Sequence, residues 1–200
     1  MADVHGNTAT GNTGGILVFD LPNLPRMNGG GVRVFGNKVF ANDTPNFAPK
    51  GNIVATVPKG TGVLVMANDG VHVFDNDLSD HATANVMIIS YRPKFEDAKY
   101  NPYPRRIIVS GNRHGRAGFA PDVPGGGFLT AAFGGNAPPV WWDGTGKVAE
   151  LGLRVADPVP VLGLGLALGA STDSAKPSKV ELNGADVPQP APVTLPAEME

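Results

Sequence analysis

The chain has no cysteine, which removes disulfide scaffolds, zinc–thiolate centres and thiol nucleophiles at once. Glutamine occurs once, at Gln189, and glutamate five times. Charged residues make up 17% of the chain, against a usual share of about 25%. The residues that populate helix surfaces are scarce, so long amphipathic helices are not expected. No apolar run approaches the ~20 residues of a membrane-spanning helix. The longest, VPVLGLGLALGA, is flanked by Asp157 and Asp173. The N-terminus, MADVHGNTATGNTGG, shows neither the basic region nor the apolar core of a secretory signal. A net charge of −2 gives no overall pull toward nucleic acid or anionic lipid.

What is present points to strands and turns. Glycine contributes 27 residues and proline 19, while 42% of the chain is hydrophobic, enough for a sizeable core. Residues 1–14 are polar, with GNT at 6–8 and again at 11–13, and read as a mobile arm. The body spans 15–170. The stretch 171–200 carries Pro177, Pro188, Pro190, Pro192 and Pro196 and reads as an extended tail. Strand candidates within the body are GILVFDL (15–21), NIVATV (52–57), NVMIISYR (85–92), RRIIVSG (105–111) and FLTAAF (128–133). Hairpins are expected at VRVFGNKVFA (32–41), GVLVMANDGVHVF (62–74) and PVWWDGTGKVAELGLRV (139–155). No repeat long enough to suggest a solenoid or propeller stands out. The expected fold is all-β: one sandwich, jelly roll or small barrel of short antiparallel strands, with arms at both ends.

Within VLGLGLALGAS (161–171), alternation puts Leu162, Leu164, Leu166 and Leu168 on one face. Gly163, Gly165, Ala167 and Gly169 fall on the other. The spacing Gly163-x-Gly165-x-x-x-Gly169 does not make a dinucleotide loop, and no helical pattern follows it. Nearly bare backbone on one face lets another surface approach closely, so these glycines are interface candidates.

Several clusters suggest chemistry. In the acidic segment 67–81, Asp75, Asp77 and Ser79 begin like a calcium loop, and Asp75, Asp77 and Asp80 are candidates for a looser oxygen-ligand site. The sixth position is Asp80 where glycine is required, and the twelfth is Val86 where glutamate belongs, so it is not an EF-hand. His72 reads as a strand side chain. The segment from Arg92 to Arg116 holds Arg92, Lys94, Lys99, Arg105, Arg106, Arg113 and Arg116, with Tyr91, Tyr100 and Tyr103 in or beside it. Cations among aromatics suit single-stranded nucleic acid. They equally anchor protein interfaces, the reading preferred for an acidic chain without a nucleic-acid motif. In GNRHGRAG (111–118), Arg113, His114 and Arg116 sit between glycines and could hold an anion, with His114 as acid or base. No nucleophile elbow, HExxH or phosphate loop accompanies them. Trp141 and Trp142, adjacent in a strand, must point to opposite faces, so one of them is a candidate platform for stacking a sugar.

The three features together fit a non-enzymatic structural subunit: a β body, arms at both ends, no catalytic constellation. Such a subunit assembles with copies of itself and neighbouring structural proteins, as a capsid decoration, cement or other minor virion protein does, put together in the host cytoplasm without cofactor, nucleic acid or membrane. The alternatives are a carbohydrate-binding β-sandwich and a small anion-handling hydrolase at Arg113, His114 and Arg116.

Overall fold

Segments that read as hairpins instead form successive sides of a coil. The computed structural model describes residues 1–185 and 187–194. The first coil is β1 (Ala2–His5), β2 (Thr8–Thr10) and β3 (Gly14–Phe19). The second is β4 (Gly30–Phe35), β5 (Lys38–Phe40) and β6 (Thr61–Met66). The third is β7 (Asp69–Phe74), β8 (Asp77–Ser79) and β9 (Ala84–Ile89). The fourth is β10 (Arg105–Ser110), β11 (Arg113–His114) and β12 (Val140–Trp142). β13 (Leu153–Val155) and β14 (Val161–Gly163) make a shortened fifth, and β15 (Ser178–Val180) follows.

Each strand pairs with its counterpart one coil away, in parallel: Val32 opposite Val71 and Val71 opposite Ile107, for example. The result is a β-solenoid with three sheets, ordered β1-β4-β7-β10-β13, β11-β8-β5-β2 and β15-β14-β12-β9-β6-β3. Among the described strands only β15 runs antiparallel, on the edge of β14. The expectation of an antiparallel sandwich, jelly roll or barrel is therefore wrong, and so is the reading that excluded a solenoid.

The reason lies in the corners. Gly36 takes a left-handed conformation (φ 60°), which glycine adopts without steric cost. That single residue turns the chain onto the next face instead of reversing it. Asn37 then spends its backbone N–H on Asn76 Oδ1, 39 residues on, and not on a partner across a hairpin. Strands of 2–6 residues between such corners bury one row inward and show the other outward.

The interior fills with stacked rows, Val4-Val34-Val73-Val109 from the first sheet and Ala9-Val39-Leu78 from the second. The third sheet contributes Val18-Val65-Ile88-Trp142. A second apolar cluster lies outside the third sheet, built on the outward row Leu17-Leu64-Met87-Trp141-Leu162. It is roofed by segments inserted between strands: the 3-10 turn Ile53–Thr56, the loop after β9, and helix α1 (Gly126–Ala132). NIVATV and FLTAAF, expected as strands, are this turn and this helix.

The expected mobile arm, 1–14, supplies β1 and β2. The part of the expected tail that is described folds back on the solenoid. Asn183 bridges Arg154, Val187 lies over Gly152, Gln189 lies beside His72, and the Val193 N–H donates to Asp3 Oδ2 at 3.2 Å. The chain thus crosses the outward row Asp3-Arg33-His72-Ile108-Arg154 of the first sheet as a strap. The last part of that tail, 195–200, lies outside the described residues.

Candidate interaction sites

The corner between the first and second sheets carries an amide ladder. Asn7, Asn37, Asn76 and Asn112 stack in successive coils, each donating backbone N–H and Nδ2 to the Oδ1 above it, at 2.9–3.0 Å in the first three steps. Asn112 donates instead to the two carboxylate oxygens of Asp157, at 3.1 and 3.0 Å. A carboxylate has nothing to donate onward, so the ladder ends there.

His114 closes this terminus. It occupies the inward row of the second sheet, directly above Leu78. Its Nε2 lies 2.9 Å from Asp157 Oδ2, with the two side chains 3% and 1% exposed. Burial pushes the Asp157 carboxyl upward, but hydrogen bonds from His114 and Asn112 outweigh it and hold the group below the usual range. His114 was expected in an exposed anion loop; the structure places it in the core.

The other residues of that loop are paired within the chain. Arg113 pairs with Asp77 and Arg116 with Asp80 at 3.0 Å, each 36 residues apart. Arg116 also lies over the Phe119 ring, 4.1 Å from its centroid. Arg105 and Arg106 share Asp69 of the coil below. The acidic and basic segments are thus one coil apart and neutralise each other across it. Asp75 occupies a left-handed corner (φ 53°) next to Gly111. Among the described residues no group of three or more His, Asp or Glu is arranged to hold a metal ion.

The remaining candidates are built into the body. Tyr100 is buried and donates its hydroxyl to Asp20 O at 2.8 Å; burial raises its phenol well above the usual range. With Tyr91 and Phe95 it forms an edge-to-face trio. Tyr103 packs on the inner core. Trp141 and Trp142 do face opposite ways, outward and inward, but both are buried: the roof covers Trp141, whose Nε1 donates to Pro138 O at 2.7 Å. Neither ring is free to stack on a sugar.

Gly163 follows Trp142 in the inward row, and Val180 of β15 fills the space its side chain would take. Gly165 approaches the backbone of Lys176 and Gly144, whereas Gly169 faces open space. The close approach expected at Gly163 and Gly165 is therefore made by this chain's own C-terminal segment.

Two surfaces are left over. The first is the outer edge of the first coil. Among the described residues β1, β2 and β3 each have a neighbour on one side only, and Val4, Ala9 and Ile16 are only partly buried at the end of the core. Asn7 Oδ1 and Asn12 Oδ1 accept no hydrogen bond from the described residues, although both side chains donate upward, Asn12 to Asn42. The opposite end is closed by β15, by the Arg154–Asn183 bridge and by Asp157.

The second surface is a cleft of about 590 Å³ over the third sheet, within the range of small-molecule sites. Its floor is Met87, Ile89 and Leu164, and α1 forms one wall, with Phe128 85% exposed at the rim. Half-buried Arg92 and fully buried Asp143 are among its polar members. Asp143 accepts from Ser90 N at 2.7 Å, Thr145 N at 3.0 Å and the Thr145 hydroxyl at 2.8 Å, while burial raises its carboxyl. Arg92 donates from Nη2 to Ala170 O, and its buried Nε has no partner among the described residues.

The ladder, the terminal pair and the cleft escape a residue-by-residue motif search. The available signal was the dipeptide Gly-Asn or Asp-Asn after an apolar strand, at 6–7, 36–37, 75–76 and 111–112. Comparisons with protein-family models, curated proteins and solved structures found no match. Among the described residues no helix is long and apolar enough to cross a membrane.

Proposed function

We propose that the protein is a non-enzymatic structural subunit whose first coil is an attachment end, taking a further parallel β-coil from a neighbouring structural chain. The observation that carries this reading is the asymmetry of the two ends. The C-terminal end is sealed by the chain's own segments, whereas the first coil offers three strand edges, a partly uncovered core and the free acceptors Asn7 Oδ1 and Asn12 Oδ1. Open strand edges are templates for pairing, and solenoid ends need a cap or a neighbour. The ladder polarity specifies the partner's chemistry: a backbone N–H and a side-chain amide held over Asn7. A lattice of repeating chains such as a virion supplies neighbours of that kind. The residues once considered for anion chemistry support the non-enzymatic side of the proposal, since His114 is committed to Asp157 and both arginines to acids below them.

The test is to append a copy of residues 69–105 ahead of residue 1, which sets a second Asn76 over Asn7 at the native step of 36 residues. A docked coil raises Tm by several degrees and protects the β1 and β3 edge amides from hydrogen exchange. An unchanged Tm with freely exchanging amides overturns the proposal. Placing Asp at that appended Asn76 sets an acceptor against an acceptor and is expected to cancel most of the gain.

A further inference from the structure

We propose that the cleft over the third sheet binds a small carboxylate with an aliphatic chain, its headgroup held by Arg92. Apolar side chains from three separate segments, Pro58 before β6, Leu129 and Phe133 of α1, and Leu166 and Pro177 after β14, converge on the sheet here, so the roof encloses a space and not only a packed interface. The chain enters along Ile89, Leu129 and Phe133, and exposed Phe128 borders the opening.

The charge balance selects the headgroup. Arg92 makes no ion pair within the described residues; its one hydrogen bond goes to a neutral carbonyl, and its buried Nε is unpartnered. The cleft's buried Asp143 lies within the electrostatic reach of Arg92, but it spends its oxygens on Ser90 and Thr145 and makes no hydrogen bond or ion pair with Arg92 among the described residues. One buried guanidinium donor left unpartnered beside an apolar recess is costly unless an acceptor completes it, and an anion completes it best. The aliphatic chain follows from the floor and walls, which offer methyl and methylene surface rather than hydrogen bonds. Asp173 at the mouth disfavours a second negative charge, so a monocarboxylate suits the cleft better than a dicarboxylate.

The probe is decanoate, titrated by calorimetry into the full chain, with decanol and succinate as controls. Saturable decanoate binding is expected, with weak decanol binding and none of succinate. Arg92→Gln is expected to weaken decanoate binding roughly ten- to a hundredfold, the scale of a charge-assisted hydrogen bond, while leaving decanol unchanged. Because Arg92 also holds Ala170, a second variant guards against misfolding: Phe128→Ser alters only an exposed rim position and should weaken both amphiphiles alike. No saturable decanoate binding, or equal affinity for decanoate and decanol in the native chain, overturns the proposal. So does an Arg92→Gln variant that folds and binds decanoate as before.

Discussion

The two corners flanking the second sheet solve the same problem with different chemistry. At the first corner every member is Asn until Asp157 ends the series, and each step repeats the same pair of bonds. At the second, Asn12 donates to Asn42 in the same way, but Asn42 then meets His81 Nε2 at 3.2 Å. His81 Nδ1 in turn contacts Asn85 Oδ1 at 2.8 Å, and Arg116 and Ala117 stand in the next coil. A uniform amide ladder is indifferent to pH across the neutral range. A ladder containing an imidazole is not. The comparison teaches that corner geometry, set by a left-handed residue such as Gly36 or Ala41, is common to both, while pH sensitivity enters only where the stacking residue changes.

Breaking the uniform ladder in its middle should have the largest effect. In Asn76→Ala the backbone N–H and Nδ2 of Asn37 lose their shared acceptor, and Asn112 Oδ1 loses a donor, all in the buried interior. Each orphaned buried group costs about 1–3 kcal/mol, so the expected loss is about 3–5 kcal/mol, or roughly 10 °C in Tm for a chain of this size. Thermal unfolding followed by circular dichroism measures it. Asn7→Ala, at the exposed end, should cost less than about 1 kcal/mol. Equal losses at the two positions would show that the ladder does not act through burial.

How much of this was legible beforehand differs between fold and site. The strands themselves were visible, because runs rich in Val and Ile such as 62–66 and 105–109 carry the β signal locally. Their pairing was not, because a parallel strand's partner lies a whole coil away. The ladder steps are 30, 39, 36 and 45 residues, so insertions at other corners destroy any fixed period. A turn of one or two residues between apolar runs reads as a hairpin unless the Asn after it is seen to have a distant partner. The charge segments failed as sites for the same reason: Asp77 and Arg113 look like separate patches in sequence and are adjacent in space. The cleft was the least legible, since its walls come from three separate segments with no shared pattern; Arg92, Leu164 and Leu166 were singled out, but for other roles.

The mixed corner predicts an acid-labile stability that the uniform one does not. Burial lowers the His81 pKa, against smaller opposing contributions from Asn85, Asp43 and Asp80, so the folded state holds it neutral. Burial lowers His72 as well. The unfolded chain then binds protons first as pH falls, and the stability present above about pH 6.5 is lost below it. Urea unfolding at pH 7 and pH 5 should show lower stability at pH 5, and His81→Asn, which restores an amide to the corner, should flatten part of that slope. An unchanged slope would place the acid sensitivity elsewhere. Asp157 titrates in a separate window: its lowered pKa contributes above about pH 3.9 and is lost only at more acidic pH.

The smallest effect is expected on the outward side of the same coils. Arg113 and Asp77 form a bidentate pair, but the arginine side chain is 78% exposed, and exposed pairs contribute little because water and salt screen them. Arg113→Ala should therefore shift Tm by only a degree or two, and the shift should shrink in 0.5 M salt, whereas the Asn76→Ala loss should not respond to salt at all. If the outward pair proved as costly to break as the inward amide, the register of the coils would be set by surface charge. The expected contrast, large and salt-independent inside, small and screened outside, instead places the specification of the solenoid in the amides at its corners.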